Sequence, residues 1–322
     1  MSIYKTEIGT DIDKAFDLLI NGELVAIPTE TVYGLAGNAL SAAVVKKIFE
    51  AKNRPFTNPL IVHISGIDKL SSVVKNVPDI ALQLLQTFSP GPLTLILPKK
   101  DVIPDFVTAH SSHVAVRIPN HSLCLELLKR LPFPLAAPSA NKFTGISPTN
   151  PDHVLNQLSG QIPYILDGGF CNNGIESTIV GFENDTILVY RLGAITIEQL
   201  QRIHPHIKLA NDHKVIHSPG MMKHHYAPKT PLVFTENVAD SIKLFDHKNI
   251  AVLYFKQPAA GVSTAYEHVL SVSGNLTEAA ANLYKALYEL DKQNPDIIIA
   301  ERLPDIGLGQ SINDRLKRAA AK

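Results

Sequence analysis

Cysteine is nearly absent: Cys124 and Cys171 are the only two in 322 residues. Two isolated thiols cannot build a metal cage, and they argue against the disulfide scaffold of a secreted protein. Net charge is absent as well, with thirty basic residues balancing thirty acidic ones. That excludes a chain that coats nucleic acid by bulk charge and leaves room only for a local basic face. No segment approaches the roughly 20 apolar residues needed to cross a bilayer. The N-terminal MSIYKTEIGTDIDKA has no apolar stretch of the signal-peptide kind, so a cytoplasmic, reducing location is expected. The familiar phosphate loops are missing too: neither G-x-x-x-x-G-K-[ST] nor G-x-G-x-x-G occurs, so any ATP site must be of another kind.

What is present is ample core material, 45% apolar against 19% charged residues, on a length that suits two domains. Strand and helix patterns alternate. Ile12, Phe16, Leu19 and Ile20 share a helical face over 11–20, with Thr10 as the expected N-cap. Residues 41–52, 78–88 and 121–130 read as further helices, and 24–27, 60–64, 93–97, 113–118 and 135–137 as strands. Strands follow near 164–166, 178–180 and 187–191, then a helix near 196–203. Residues 138–151 are a polar loop. From 204 the periodicity breaks into a stretch rich in His, Pro, Lys and Gly, which reads as a linker. A second alternation begins near 231, with strands at 232–234, 250–255 and 297–300, and helices over 276–291 (Asn275 capping, Glu278 three residues on) and 311–321. The expected division is a domain over 1–205, a linker over 206–230 and a smaller α/β domain over 231–322.

Polar residues cluster at strand ends where a packed core has no use for them. Thr29, Thr31 and Tyr33 in PTETVYG are either turn chemistry or a wall of hydroxyl donors. Lys52 and Arg54, with Pro55 pushing Arg54 out of helical geometry, either complement a helix C-terminus or hold phosphates. Arg117 shares a strand face with His113 and Ala115; its partner is either a substrate carboxylate or an internal acid. Small hydroxyls recur in PSAN, at Ser147 and in GIEST. The pair His224-His225 has no third ligand at metal spacing, so no protein-held metal is expected.

Taken in order, PTETVYGL, KNRPFTNPLIVH, PGPLTLIL, VAVRIP, APSAN, ESTIV, the Arg191-Leu192-Gly193 strand end and SPGMMKHHYAP resemble the YrdC-like threonylcarbamoyl-AMP synthase family in its long form. The match runs from about residue 10 to 228; the remainder resembles the Rossmann-like C-terminal appendage of that form more faintly. The resemblance implies an α/β fold, a twisted open mixed sheet with a large concave cavity, plus the smaller Rossmann-like domain. It implies a threonine pocket of Thr31, His63, Arg117, the Ala137 backbone and Ser177. It implies an ATP site of Arg54, Asn58, Ser139, Asn141, Ser147 and Arg191, with Lys52 and Arg54 as the catalytic cations. At position 113 the family commonly has a smaller hydroxyl residue; His113 is expected to offer its backbone. The linker is expected to fold over the cavity, with His225 or Tyr226 reaching the nucleotide.

The implied reaction joins threonine, bicarbonate and ATP into threonylcarbamoyl-AMP, with Mg2+ carried chiefly by the phosphates. The implied partners are tRNA and the transferase that attaches the group beside the anticodon. Three other readings stand beside it. One is a double-stranded RNA or tRNA binder whose basic face is built from Lys46, Lys47, Lys52, Arg54 and Lys142. Another is a carbamoyl-adenylate enzyme of the hydrogenase-maturation kind, which the lack of zinc-finger cysteines disfavours. The last is a scaffold with mere turns, against which six ordered motifs argue.

Overall fold

The structure, a computed structural model, describes residues 4–210, 225–245, 247–258 and 264–321. Fifteen strands are found among them: β1 (Glu7–Gly9), β2 (Val25–Ile27), β3 (Gly34–Asn38), β4 (Ile61–His63), β5 (Leu93–Pro98), β6 (His113–Arg117), β7 (Leu135–Ala136), β8 (Tyr164–Leu166), β9 (Thr178–Glu183), β10 (Thr186–Arg191), β11 (Ile207–Leu209), β12 (Leu232–Thr235), β13 (Ile250–Tyr254), β14 (Tyr266–Val269) and β15 (Ile297–Glu301). The helices are α1 (Ile12–Ile20), α2 (Ala42–Lys52), α3 (Asp79–Phe88), α4 (Asp105–Thr108), α5 (Ser122–Arg130), α6 (Pro151–Leu158), α7 (Ile197–Gln201), α8 (Val238–Leu244), α9 (Leu276–Lys292) and α10 (Leu308–Ala319). None of these helices is long and apolar enough to cross a membrane.

The first eleven strands form one mixed sheet in the order β1-β8-β2-β3-β7-β4-β6-β5-β9-β10-β11. One face carries a large core in which Val45, Ile48 and Phe49 of α2 meet Leu84 and Leu85 of α3 and the inward residues Val62, Leu95, Val116 and Val180. The opposite face is covered by α1 and α5 only around β8, β2, β3 and β7. Over β4, β5, β6 and β9 that face shows only a small patch of Ile61, Ile96, Ala115 and Ile179. Because side chains alternate along a strand, His63, Thr94, Arg117 and Ser177 lie two residues along on the same face. The pairing register sets His63 and Thr94 on either side of Arg117. Polar chemistry is therefore delivered to one stretch of uncovered sheet.

The last four strands form a separate all-parallel sheet, β12-β15-β13-β14. Ala251, Leu253, Ile298 and Ala300 pack on α9 and α10. Ile250, Val252, Tyr254, Ile297 and Ile299 pack toward α8 on the other side. Parallel strands covered on both faces read as continuous apolar runs, which is how these two strands are written.

Several boundaries differ from the sequence reading, each for a local reason. The N-cap of α1 is Asp11, whose carboxylate accepts from the backbone N–H groups of Asp13 and Lys14, rather than Thr10. Strand β3, GLAGN, has poor strand propensity and was not expected. It holds through antiparallel pairing with β2 and β7, and Gly37 is needed because Val44 and Leu24 crowd the space a Cβ there would take. The expected linker begins too early: residues 207–209 pair in parallel with β10 as the sheet's last strand. Three residues, none of them buried, carry too little alternation to read. The segments 211–224, 246, 259–263, 1–3 and 322 lie outside the described residues, and with them most of SPGMMKHHYAP.

The two units share a core. Val32, Ile146, Ile175 and Tyr226 belong to the same apolar cluster as Leu283, Tyr284 and Leu316. At its centre Gly174 has φ +67°, and a Cβ there would lie 2.4 Å from Ala281 Cα and 2.5 Å from the Ala280 carbonyl oxygen of α9. Gly174→Ala combines a left-handed backbone with a clash against a helix. It is expected to cost at least about 2 kcal/mol in urea unfolding, with the second unit loosening first.

Candidate active site

A buried cavity opens on the uncovered face of the first sheet, with about 530 Å³ of space counting its mouth. Its walls come from five places: Thr29, Thr31 and Val32 after β2; Arg54 after α2; His63 and Arg117 at the ends of β4 and β6; Ala137, Pro138 and Ser139 after β7; and Glu176, Arg191, His225 and Tyr226. Strand ends supply rigid positions and loops supply reach, the usual way a sheet builds a site.

The cations are held by backbone carbonyls. Arg54 Nε and Nη2 donate to the carbonyls of Asn58 (3.2 Å) and Pro59 (2.9 Å), its guanidinium lying 5.8 Å from the Phe143 ring centre. Arg191 donates from Nε and Nη2 to the Ser177 carbonyl at 3.1 and 2.9 Å, and from Nη2 to Ser177 Oγ at 3.0 Å. Ser177 Oγ also pairs with Thr94 Oγ1 at 2.7 Å. Burial, with Arg191 nearby, presses the Arg54 guanidinium down to about 9, which still leaves it charged at neutral pH.

For the cations, one expectation needs correcting and one open alternative is resolved. Lys52 does not line the cavity: its ammonium is spent on the carbonyls of Ser139 and Asn141, fixing the PSAN loop from behind. Burial and the neighbouring Arg54 hold its pKa well below the ordinary lysine range. Arg117 does line the cavity, but it meets an internal acid, the alternative already stated for it. Its Nη2 lies 2.8 Å from Glu30 Oε1, and its Nε donates to the Gly91 carbonyl at 3.3 Å. The Glu30 contact is close yet misaligned, so neither Glu30 oxygen accepts a directed hydrogen bond.

Of the other expected site residues, Thr31, His63, Ala137, Ser139, Arg191, His225 and Tyr226 come together around the cavity with Arg54 and Arg117. Ser177 stands behind Arg191. Ser147 is turned to Glu176, donating to Oε1 at 2.6 Å. Asn58 is buried under Arg54, its carbonyl taken. Asn141 donates to the carbonyls of Lys142 and Gly145, while its Oδ1 is buried without a partner among the described residues. His113 is exposed at the start of β6 beside Ser112 and does not reach the cavity.

His225 and Tyr226 form one wall. Their rings lie 4.2 Å apart, His225 meets Phe143 edge-on at 6.0 Å, and Ala227 N donates to the Thr144 carbonyl. Tyr226 takes φ +65°, rare for a bulky residue and maintained by packing against Tyr284. His225 Nδ1 is buried with no partner among the described residues. Burial first, then the charges of Arg54, Lys52, Arg191 and Arg315, pushes this imidazole far below its usual range.

Sequence reasoning overlooked Glu176. It is the one carboxylate among the described residues that line the cavity, and Ser147 Oγ, Tyr284 Oη (2.9 and 3.0 Å) and Arg315 Nε (3.1 Å) all donate to it. Burial alone would raise its pKa; Arg315 and Arg191 outweigh burial and hold it below the ordinary glutamate range. The GIEST motif flagged the place, but nothing local announces a partner 139 residues away. Away from the cavity, Asp185, His204 and His206 form the one metal-ligand-type trio among the described residues, at the β10–β11 edge.

Burial and Arg117 push His63 down to about 3. Below about pH 6.5 the unfolded chain's imidazole takes a proton that native His63 refuses, so the unfolded state binds more protons from there down to about pH 3. Stability then falls on acidification through that window, by about 1.4 kcal/mol per pH unit at most for this group. His63→Gln is expected to lose less stability than the parent between pH 6.5 and 4.5, measured by urea midpoints at each pH.

Two family models match the chain. One, described as "Telomere recombination", covers residues 17–193; the other, described as "Threonylcarbamoyl-AMP synthase, C-terminal domain", covers 195–321. A Bacillus subtilis protein named threonylcarbamoyl-AMP synthase is 41% identical over 320 residues, spanning 96% of this chain and 92% of its own. The crystal structure of Pyrococcus abyssi Sua5 complexed with L-threonine superposes with a TM-score of 0.89 at 34% identity, covering 99% of this chain and 97% of that one. Escherichia coli YciO, at 21% identity and a TM-score of 0.51 over 60% of this chain and 96% of its own, shares the fold of the first unit. The chain belongs to the threonylcarbamoyl-AMP synthase family, in the form that carries a C-terminal domain.

Proposed function

We propose that this cavity joins L-threonine, bicarbonate and ATP into threonylcarbamoyl-AMP and pyrophosphate, in the cytoplasm, for the tRNA modification made by a downstream transferase. One observation carries the reading: among the described residues, three guanidinium groups line a buried cavity whose single carboxylate is already committed to Arg315, Tyr284 and Ser147. Buried positive charge on this scale calls for an anionic ligand. The partnerless Asn141 Oδ1 and His225 Nδ1 are polar atoms that a nucleotide would satisfy.

Threonine would occupy the end formed by Thr31, His63, Arg117 and Ala137, with its carboxylate toward Arg117. Because Glu30 already offsets that charge, the grip is a hydrogen-bonding one more than a Coulombic one. Bicarbonate gives CO2 and hydroxide, the amine and CO2 give a carbamate, and the proton released leaves with the hydroxide as water. A carbamate oxygen then bonds to the α-phosphorus, the bond from that phosphorus to the bridging oxygen breaks, and pyrophosphate leaves. The histidines lining the cavity, His63 and His225, are both held neutral, and Glu176 is held ionised. None is poised near pH 7 as a general base, so the reaction would rest on positioning and on Arg54 and Arg191 facing phosphate charge. Mg2+ would enter as the metal complex of ATP. The cavity's committed carboxylate is a poor start for a protein-built Mg2+ cage, which fits an ion held mainly by phosphates.

The RNA-binding alternative keeps Lys46 and Lys142 on the surface but loses the centre of its basic face. Lys52 and Arg54 are buried, and Lys47 is drawn to the Gly22 carbonyl and Glu23.

The decisive experiment is product analysis by mass spectrometry after mixing the purified chain with threonine, bicarbonate and Mg-ATP, with reactions each lacking one substrate. A mass for threonylcarbamoyl-AMP only in the complete mixture is expected; threonine-independent ATP hydrolysis alone would remove the proposal. Arg54→Ala is expected to lower kcat/KM for ATP by roughly 10²–10³-fold, and to lower the melting temperature by a few degrees because the buried Asn58 and Pro59 carbonyls lose their donor. Chelation with EDTA is expected to abolish turnover without shifting the melting temperature of the ligand-free chain, since the ion arrives with the nucleotide.

A further inference from the structure

Arg315 is the largest fully buried side chain among the described residues, and it belongs to α10 of the second unit. Its Nε donates to Glu176 Oε2 at 3.1 Å, its Nη1 lies 3.2 Å from Asp314, and its guanidinium carbon sits 5.2 Å from the Tyr226 ring centre. Tyr284 of α9 donates to the same carboxylate and stacks on Tyr226 with centroids 6.0 Å apart. Both residues that the second unit's helices grip, Glu176 and Tyr226, line the cavity.

The geometry points to a specific task, and we propose that Arg315 is a positioning residue for nucleotide binding. It neutralises Glu176 and seats Tyr226, so the cavity presents Arg54 and Arg191 to phosphate without an opposing negative charge. The C-terminal unit thereby completes the electrostatics of a site otherwise built by the first unit. This rests on the ATP-binding reading above. An unneutralised Glu176 would remain ionised beside the arginines or draw in a proton; either way it would oppose a triphosphate in the same cavity. The cost falls on the anionic ligand and spares threonine, whose proposed contacts lie at the β4–β6 end.

The test is calorimetric binding of Mg-ATP and of threonine to the full chain, to Arg315→Met, and to the double variant Arg315→Met/Glu176→Gln. Arg315→Met is expected to weaken Mg-ATP about tenfold or more, leave threonine within about twofold, and steepen the loss of ATP affinity as pH rises through the released carboxylate's titration. The double variant removes the stranded charge and is expected to recover most of the affinity. If the parent chain binds no Mg-ATP, the functional reading fails. If the parent binds and Arg315→Met binds equally well, or if both ligands weaken together and Glu176→Gln restores nothing, Arg315 is a structural residue only and the inference is wrong. Should Arg315→Met not fold, Tyr284→Phe removes one donor to Glu176 at constant shape; a rise of a few-fold in the Mg-ATP Kd with threonine unmoved is then expected, and an unchanged Mg-ATP Kd overturns the inference.

Discussion

Among the described residues, five cations are at most 7% exposed, namely Lys52, Arg54, Arg117, Arg191 and Arg315, against two equally buried carboxylates, Glu30 and Glu176. Removing such charges from water is costly, and each must be compensated. The chain meets this by distributing carbonyl oxygens: Ser139 and Asn141 to Lys52, Asn58 and Pro59 to Arg54, Gly91 to Arg117, Ser177 to Arg191. Carbonyl dipoles stabilise a cation without cancelling it. The result is a rigid, preorganised positive cavity, and that residual charge is what an anionic substrate can use.

The same arrangement ties down the loops of the first unit. The segment after β7 cannot move without releasing Lys52, and the segment after α2 cannot move without releasing Arg54. Specificity for a small polar substrate and affinity for a nucleotide are therefore linked through shared backbone rather than through shared side chains.

Much of this was legible from residues alone. Helices such as α2 and α9 announce themselves by periodicity and caps, with Ser41 and Asn275 accepting from the first-turn N–H groups. The motifs at 28–34, 52–59, 137–141 and 176–178 marked the walls. What the sequence withheld was pairing. Whether Arg117 faces a substrate or Glu30 depends on where the loop after β2 folds back, which no local pattern states. Lys52 and Arg54 look alike in sequence, yet one props a loop and the other lines the site. The strand at 207–209 is too short to show a period, and β3 is written in residues that disfavour strands.

Glu176 and Arg315 stand 139 positions apart in the chain. The ribosome delivers the first unit well before α10, and domains fold as they emerge. A nascent chain would thus own a finished sheet and a carboxylate with no guanidinium opposite it, until the last long-range contact closes. Full affinity for nucleotide would come only after translation has passed that arginine, the chain binding more weakly until then.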